Sequence, residues 1–280
     1  MRLVNSLFYL GLCGSIYGAK PIAVLHGIAS NAKMMAPFSE WLEATFDRPV
    51  FNLEIGNGRD DSTTVPLRQQ LETLCGTIAA IPELADGFDF IGMSQGGLLA
   101  RGYVEQCNTP RVENLITMVS PHGGEYFHQI LVDMYGTYAQ DHYSFAGFWR
   151  DPHDLEDYYK SCRYLPWLNN EITTPDSYRH KTNIQSLQNF VMIWSPEDDT
   201  LQPPQSGKFS WFNQQEEVVP IENTQIYRDD TLGLRFLHER DQLHIAQTNC
   251  SHVEHRDPQC YDQIYAIIAP ILVPAYFLSV

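Results

Sequence analysis

Short apolar runs alternate with longer stretches of helical spacing through the first 120 residues. PIAVLHG (21–27) is a continuous apolar run closed by glycine, which predicts a buried strand. KMMAPFSEWLEATF (33–46) predicts a helix and PVFNLEI (49–55) a second strand. In VPLRQQLETLCGTIAAI (65–81) the apolar positions Leu67, Leu71, Leu74 and Ile78 follow helical spacing. FDFIGM (88–93), GGLLARGYVEQC (96–107) and ENLITMVS (113–120) continue as strand, helix and strand. Strict alternation of this kind predicts an α/β fold, a mainly parallel sheet with helices on both faces.

The alternation then stops. From about 121 to 187 the chain is rich in aromatics, Pro, His and Asp, as in YSFAGFWRDPHDLEDYYKSCRYLPWLNN. A stretch that long outside the βα rhythm is expected to be a cap inserted into the domain. NFVMIWS (189–195) resumes the sheet, 224–248 predicts one or two strands with a short helix, and DPQCYDQIYAIIAPIL (257–272) predicts a closing helix. Pro270 and Pro274 break the apolar C-terminal run, so it reads as the end of a packed helix plus a tail. No repeat or linker divides the chain, and residues 19–280 are expected to form a single domain.

Composition narrows the function. Apolar residues make up 44% of the 280, enough for a full core. With 18 basic and 34 acidic residues the net charge is −16 and no basic run occurs, which sets nucleic acid aside as a partner. MRLVNSLFYLGLCGSIYG carries one charge, then an apolar stretch, then small residues, the layout of a signal peptide over residues 1–18. It is too short and interrupted for a stable membrane span. The chain is therefore expected in the secretory pathway, lysosomal or secreted, where cysteines pair. Without Cys13, five of the six cysteines remain, so at least one of Cys75, Cys107, Cys162, Cys250 and Cys260 lacks an internal partner.

The candidate chemistry sits on the loops that follow predicted strands. Gly92-Met93-Ser94-Gln95-Gly96 falls between a predicted strand and a predicted helix, the setting of a nucleophile elbow. There Ser94 is the candidate nucleophile, and the Gln95 N–H, at a helix N-terminus, is a candidate oxyanion donor. The loop LHGIASN (25–31) offers the Ile28 N–H as the second donor. In this fold the acid and the base follow in that order. PEDDTLQP supplies Asp198 or Asp199, and CSHVEH supplies His252 or His255, with His252 favoured by its position. Cys250, His252, His255 and Cys260 are also zinc-compatible residue types, but an oxidising compartment favours a Cys250–Cys260 disulfide. No metal or cofactor is expected. Asn249-Cys250-Ser251, a rare sequon variant beside the candidate base, is expected to be unmodified.

IGMSQGGLLAR, LHGI, FWRDPHDLEDYY, LNNE, PEDDTLQP, YRDDTLGLRFL and CSH follow one another as in the palmitoyl-protein thioesterases, and over roughly residues 21–272 the chain resembles that family. The resemblance implies an α/β-hydrolase fold with Ser94 as nucleophile, Asp198 as acid and His252 as base. Asp198 is preferred to Asp199 because its spacing to Pro203 matches the family's. Gln95 and Ile28 would supply the oxyanion N–H groups, and Cys75–Cys107 matches a family disulfide. DPH and PEDD resemble the branch that prefers smaller acyl groups or acyl-CoA. The expected activity is hydrolysis of fatty acyl thioesters, on S-acylated protein or acyl-CoA, through an acyl-enzyme. The rivals are a secreted lipase or carboxylesterase and a non-catalytic acyl-binding relative. The segment from Pro121 to Tyr143 matches the family least.

Overall fold

The computed structural model describes residues 19–128 and 132–273. The expected signal peptide (1–18) and the last residues of the C-terminal tail (274–280) lie outside the described residues. The first half of the chain holds β1 (Ile22–Leu25), α1 (Ala32–Phe46), β2 (Val50–Leu53), α2 (Arg59–Thr64), α3 (Leu67–Ala79), β3 (Phe88–Met93), α4 (Gln95–Gln106) and β4 (Val112–Met118). Short helices follow, α5 (Thr137–His142), α6 (Leu155–Ser161), α7 (Leu165–Leu168) and α8 (Ser177–Ile184). The last part holds β5 (Asn189–Trp194), the hairpin of β6 (Trp211–Phe212) and β7 (Val218–Val219), α9 (Gln225–Arg228), α10 (Leu234–His238), β8 (Leu243–Gln247) and α11 (Pro258–Leu272).

The main sheet runs β2-β1-β3-β4-β5-β8, and every neighbouring pair is parallel. Its apolar runs look continuous because both faces are covered, yet period two governs them still. Ile22 and Val24 of β1 join Ile91, Ile116 and Val191 under Met35, Phe38 and Leu42 of α1 and Ile264 and Ile268 of α11. Ala23 and Leu25 join Phe88, Phe90, Leu115 and Phe190 beneath residues of α3, α4 and α8, among them Leu71, Leu98 and Ile184. This is the α/β-hydrolase fold expected from the sequence.

Register decides where the chemistry can gather. Leu25 pairs with Gly92, Met93 with Met118, and Trp194 with Gln247. The C-terminal ends of β1, β3, β5 and β8 therefore lie along one edge of the sheet, the usual place for a site in such folds. The loops that leave that edge carry Ile28, Ser94, Asp198 and His252.

The closing helix ends at Leu272, as its sequence predicts, even with Pro270 inside it. Pro270 falls in the final turn, where a missing N–H removes only one bond, and Arg48 Nη1 donates to the Leu272 carbonyl at 3.2 Å. Residues 224–248 form one strand and two short helices. The helix α2 and the β6–β7 hairpin were not anticipated: RDDSTT has no apolar spacing, and two-residue strands have no readable period.

Candidate active site

Ser94 occupies the step from β3 into α4. Its φ is 56° and its ψ −131°, a conformation that costs a non-glycine residue about 1–3 kcal/mol and persists only where the surroundings enforce it. Here they do. The Ser94 N–H donates to the Met118 carbonyl at 2.8 Å, and the Ser94 carbonyl accepts from Gly97 N–H at 3.0 Å. The flanking glycines allow the tight packing. A Cβ on Gly92 would lie 2.5 Å from the Gly96 oxygen, and one on Gly96 would lie 2.3 Å from the His26 oxygen.

His252 Nε2 lies 2.9 Å from Ser94 Oγ. Its Nδ1 lies 3.0 and 2.9 Å from the two oxygens of Asp198. A carboxylate only accepts, so Nδ1 carries the proton and Nε2 is left bare toward the serine hydroxyl. All three residues are buried. Asp198 is fixed in turn, because its Oδ1 accepts the N–H groups of Thr200 and Leu201, both at 2.9 Å. Asp199 takes a different place: its Oδ1 accepts the His252 backbone N–H at 3.3 Å.

The loop carrying His252 is pinned from below. The Thr248 N–H donates to the Trp194 carbonyl at 3.0 Å, and the Cys250–Cys260 disulfide ties the loop to α11. That bond consumes both thiolates a zinc site would need. His255 bonds elsewhere. Its Nδ1–H donates to the Ser251 carbonyl at 2.9 Å, and its Nε2 accepts from Thr248 Oγ1 at 2.8 Å. Burial holds its pKa below the ordinary histidine value. Cys75 is bonded to Cys107, and Cys162 is a buried free thiol that burial pushes up to about 12.

The Gln95 and Ile28 N–H groups have no acceptor among the described residues. Gln95 is the first residue of α4, where an N–H has no partner within the helix. Its side chain is anchored, with Nε2 donating to the Ser62 carbonyl at 2.8 Å and to Gln70 Oε1 at 3.2 Å. Ile28 follows Gly27, where a Cβ would come within 2.9 Å of Ser94 Cβ. One acid near the triad, Glu125, went unnoticed in the sequence. Asp199 was seen only as a rival of Asp198. Glu125 lies just past β4, its N–H donating to the Phe148 carbonyl at 3.0 Å and its carbonyl accepting the Arg150 N–H at 2.9 Å. Burial, and then the Asp198 charge, push its carboxyl up to about 8.

The sequence profile of the family described as palmitoyl protein thioesterase matches residues 21–252. The chain belongs to the palmitoyl-protein thioesterase family. As a member of it, the protein is a thioester hydrolase. It is 34% identical over 270 residues to palmitoyl-protein thioesterase 3 of Dictyostelium discoideum, covering 91% of this chain and 93% of that one. It is 31% identical to the lysosomal thioesterase PPT2 homolog of Drosophila melanogaster, covering 97% of this chain and 100% of that one. Among solved structures, lipase B of Aspergillus fumigatus superposes with a TM-score of 0.52 at 13% identity over 85% of this chain and 49% of its own, a likeness of fold. No helix among the described residues is long and apolar enough to cross a membrane.

Proposed function

We propose that the protein is a serine thioesterase that hydrolyses fatty acyl thioesters, on S-acylated protein or acyl-CoA, through Ser94, His252 and Asp198. Ser94 Oγ attacks the thioester carbonyl as its proton passes to His252 Nε2, and Asp198 steadies the imidazolium that results. The carbonyl oxygen becomes an oxyanion that the Gln95 and Ile28 N–H groups receive. Collapse breaks the C–S bond, and the thiolate leaves with the proton from His252. Water, deprotonated by the same nitrogen, then attacks the acyl-serine, releases the fatty acid and returns the proton to Ser94 Oγ.

The observation that carries this reading is the bonded line from Ser94 Oγ through His252 to Asp198, at 2.9 Å on either side of the ring. Several relatives carry lysosomal in their names, and with the N-terminal layout this supports a lysosomal or secreted destination. The aromatic stretch of 121–187 is the candidate cap over the acyl chain. Rates on matched acyl-CoA thioesters and p-nitrophenyl esters, from short chains to about sixteen carbons, test the proposal. Ser94→Ala should lower kcat on thioesters by about 10⁴-fold or more. Wild-type activity confined to oxyesters, or a Ser94→Ala rate equal to wild type, would reject it.

A further inference from the structure

His26 ends the run of β1 and begins the loop that carries Ile28, and its side chain is fully buried. Its Nδ1 lies 2.8 Å from the carbonyl oxygen of Gly27. A carbonyl can only accept, so Nδ1 bears the proton and donates it there. Its Nε2 lies 3.2 Å from the Ile55 backbone nitrogen and 2.6 Å from Glu54 Oε1. The other oxygen of Glu54 accepts the Ala32 N–H at 3.0 Å. The imidazole and the carboxyl thus bracket the loop 27–32 from its two ends and anchor it just beyond the end of β2.

The Gly27 carbonyl and the Ile28 N–H belong to one peptide group. That group is planar and trans, so the two dipoles point in opposite directions. Fixing the oxygen toward His26 fixes the N–H away from it. Ala29, the next residue but one after Gly27, has a φ of 49°, so the loop turns sharply there and depends on outside contacts to hold its shape. Gly27 meanwhile packs on Ser94 so closely that a Cβ on it would be 3.4 Å from Ser94 Oγ.

We infer that His26 is a positioning residue for thioester hydrolysis: through its Nδ1–H bond to the Gly27 carbonyl it aims the Ile28 N–H at the oxyanion formed on Ser94. The inference rests on the reading of Ser94 as nucleophile and Ile28 as donor. It separates His26 from a histidine that merely fills the core, because only one of its two nitrogens is assigned the task.

Three variants separate the two nitrogens. His26→Asn keeps a donor at the position of Nδ1, His26→Gln keeps a polar group at the position of Nε2, and His26→Ala keeps neither. Losing one oxyanion donor outright costs about 10²–10³ in kcat, so misaiming one should cost roughly 10–100-fold. On a long-chain acyl-CoA, kcat is expected to fall by that amount in the Gln and Ala variants with KM within about twofold, and Asn is expected to recover most of it. Melting temperatures accompany the rates. Asn and Gln variants of equal kcat, a loss seen in KM alone, or losses that track melting temperature would overturn the inference. If His26→Asn does not fold, Glu54→Ala loosens the ring without removing it, and a wild-type kcat there would overturn it as well. Labelling by a fluorophosphonate keeps the two readings apart: a wild-type protein that is not labelled at Ser94 sinks the nucleophile assignment, whereas normal wild-type labelling with indifferent His26 variants sinks only the role of His26.

Discussion

Two clusters of charged side chains differ in almost every respect. Behind the elbow, Arg101 is fully buried and its donors are spread over three partners. Nη1 bonds Glu105 at 2.7 Å, Nη2 bonds Asn169 at 2.7 Å and Nε bonds His122 Nδ1 at 3.2 Å. Asn169 passes the web on to Glu171, which Arg150 and Tyr158 also hold. On the surface, Glu216 at the tip of the β6–β7 hairpin receives His128 at 2.8 Å and His153 at 2.7 Å. The distances are alike, but the consequences are not. Water competes for each surface bond and salt screens it, whereas a partner lost from the buried web leaves a polar group that nothing replaces. The web joins α4 to the 121–171 region, so it also holds the elbow helix against the candidate cap.

The comparison breaks most sharply at Arg101. Arg101→Met strands Glu105, Asn169 and His122, and should cost roughly 3–5 kcal/mol in urea unfolding. Complete burial pushes the Glu105 carboxyl up to about 8 even beside Arg101. Below that value the carboxyl is protonated with or without the arginine, so the loss should be similar at pH 5 and pH 7. A loss under about 1 kcal/mol at both would place the web with ordinary surface pairs.

A subtler test uses His122. It accepts from Arg101 through Nδ1 and donates through Nε2 to Thr117 Oγ1 at 2.9 Å, so it is held neutral. Burial, then the Arg101 charge, lower its pKa well below the ordinary value. As pH falls through about 6.5 the unfolded chain takes up a proton that the folded chain refuses, so this group's contribution, present above that pH, is lost below it. The stability of His122→Asn should decline less than that of the wild type between pH 6.5 and the folded pKa. Parallel curves would contradict the assignment. At the surface, both histidines bond to Glu216 and hold its carboxyl below the usual range. Glu216→Gln should leave the unfolding midpoint unchanged at physiological salt, and a drop near that of Arg101→Met would erase the contrast.

The same contrast explains what could be read beforehand. The sheet was legible because β1, β3, β4 and β5 are short, dense apolar runs, and the glycines around Ser94 mark a turn whose neighbours declare themselves locally. The order serine, acid, histidine then narrowed the loops. Choosing Asp198 over Asp199 needed a family spacing, since the local sequence offers two adjacent carboxylates, and only the fold shows one on the His252 ring and the other on its backbone. The web was not legible. Arg101, His122 and Asn169 are 21 and 68 residues apart along the chain, and no local pattern announces that they meet. The aromatic stretch of 121–187 has no period, because its side chains pack on several surfaces rather than on one face of a long element.

The central claim is that Ser94 carries the acyl group. The direct measurement is rapid mixing with a long-chain acyl-CoA, acid quench, and mass analysis of the peptide that contains Ser94. The account predicts one acyl group on that peptide with an equal amount of free CoA, and neither in Ser94→Ala. Steady turnover with no acyl-serine, or an acyl group that persists in Ser94→Ala, would contradict it.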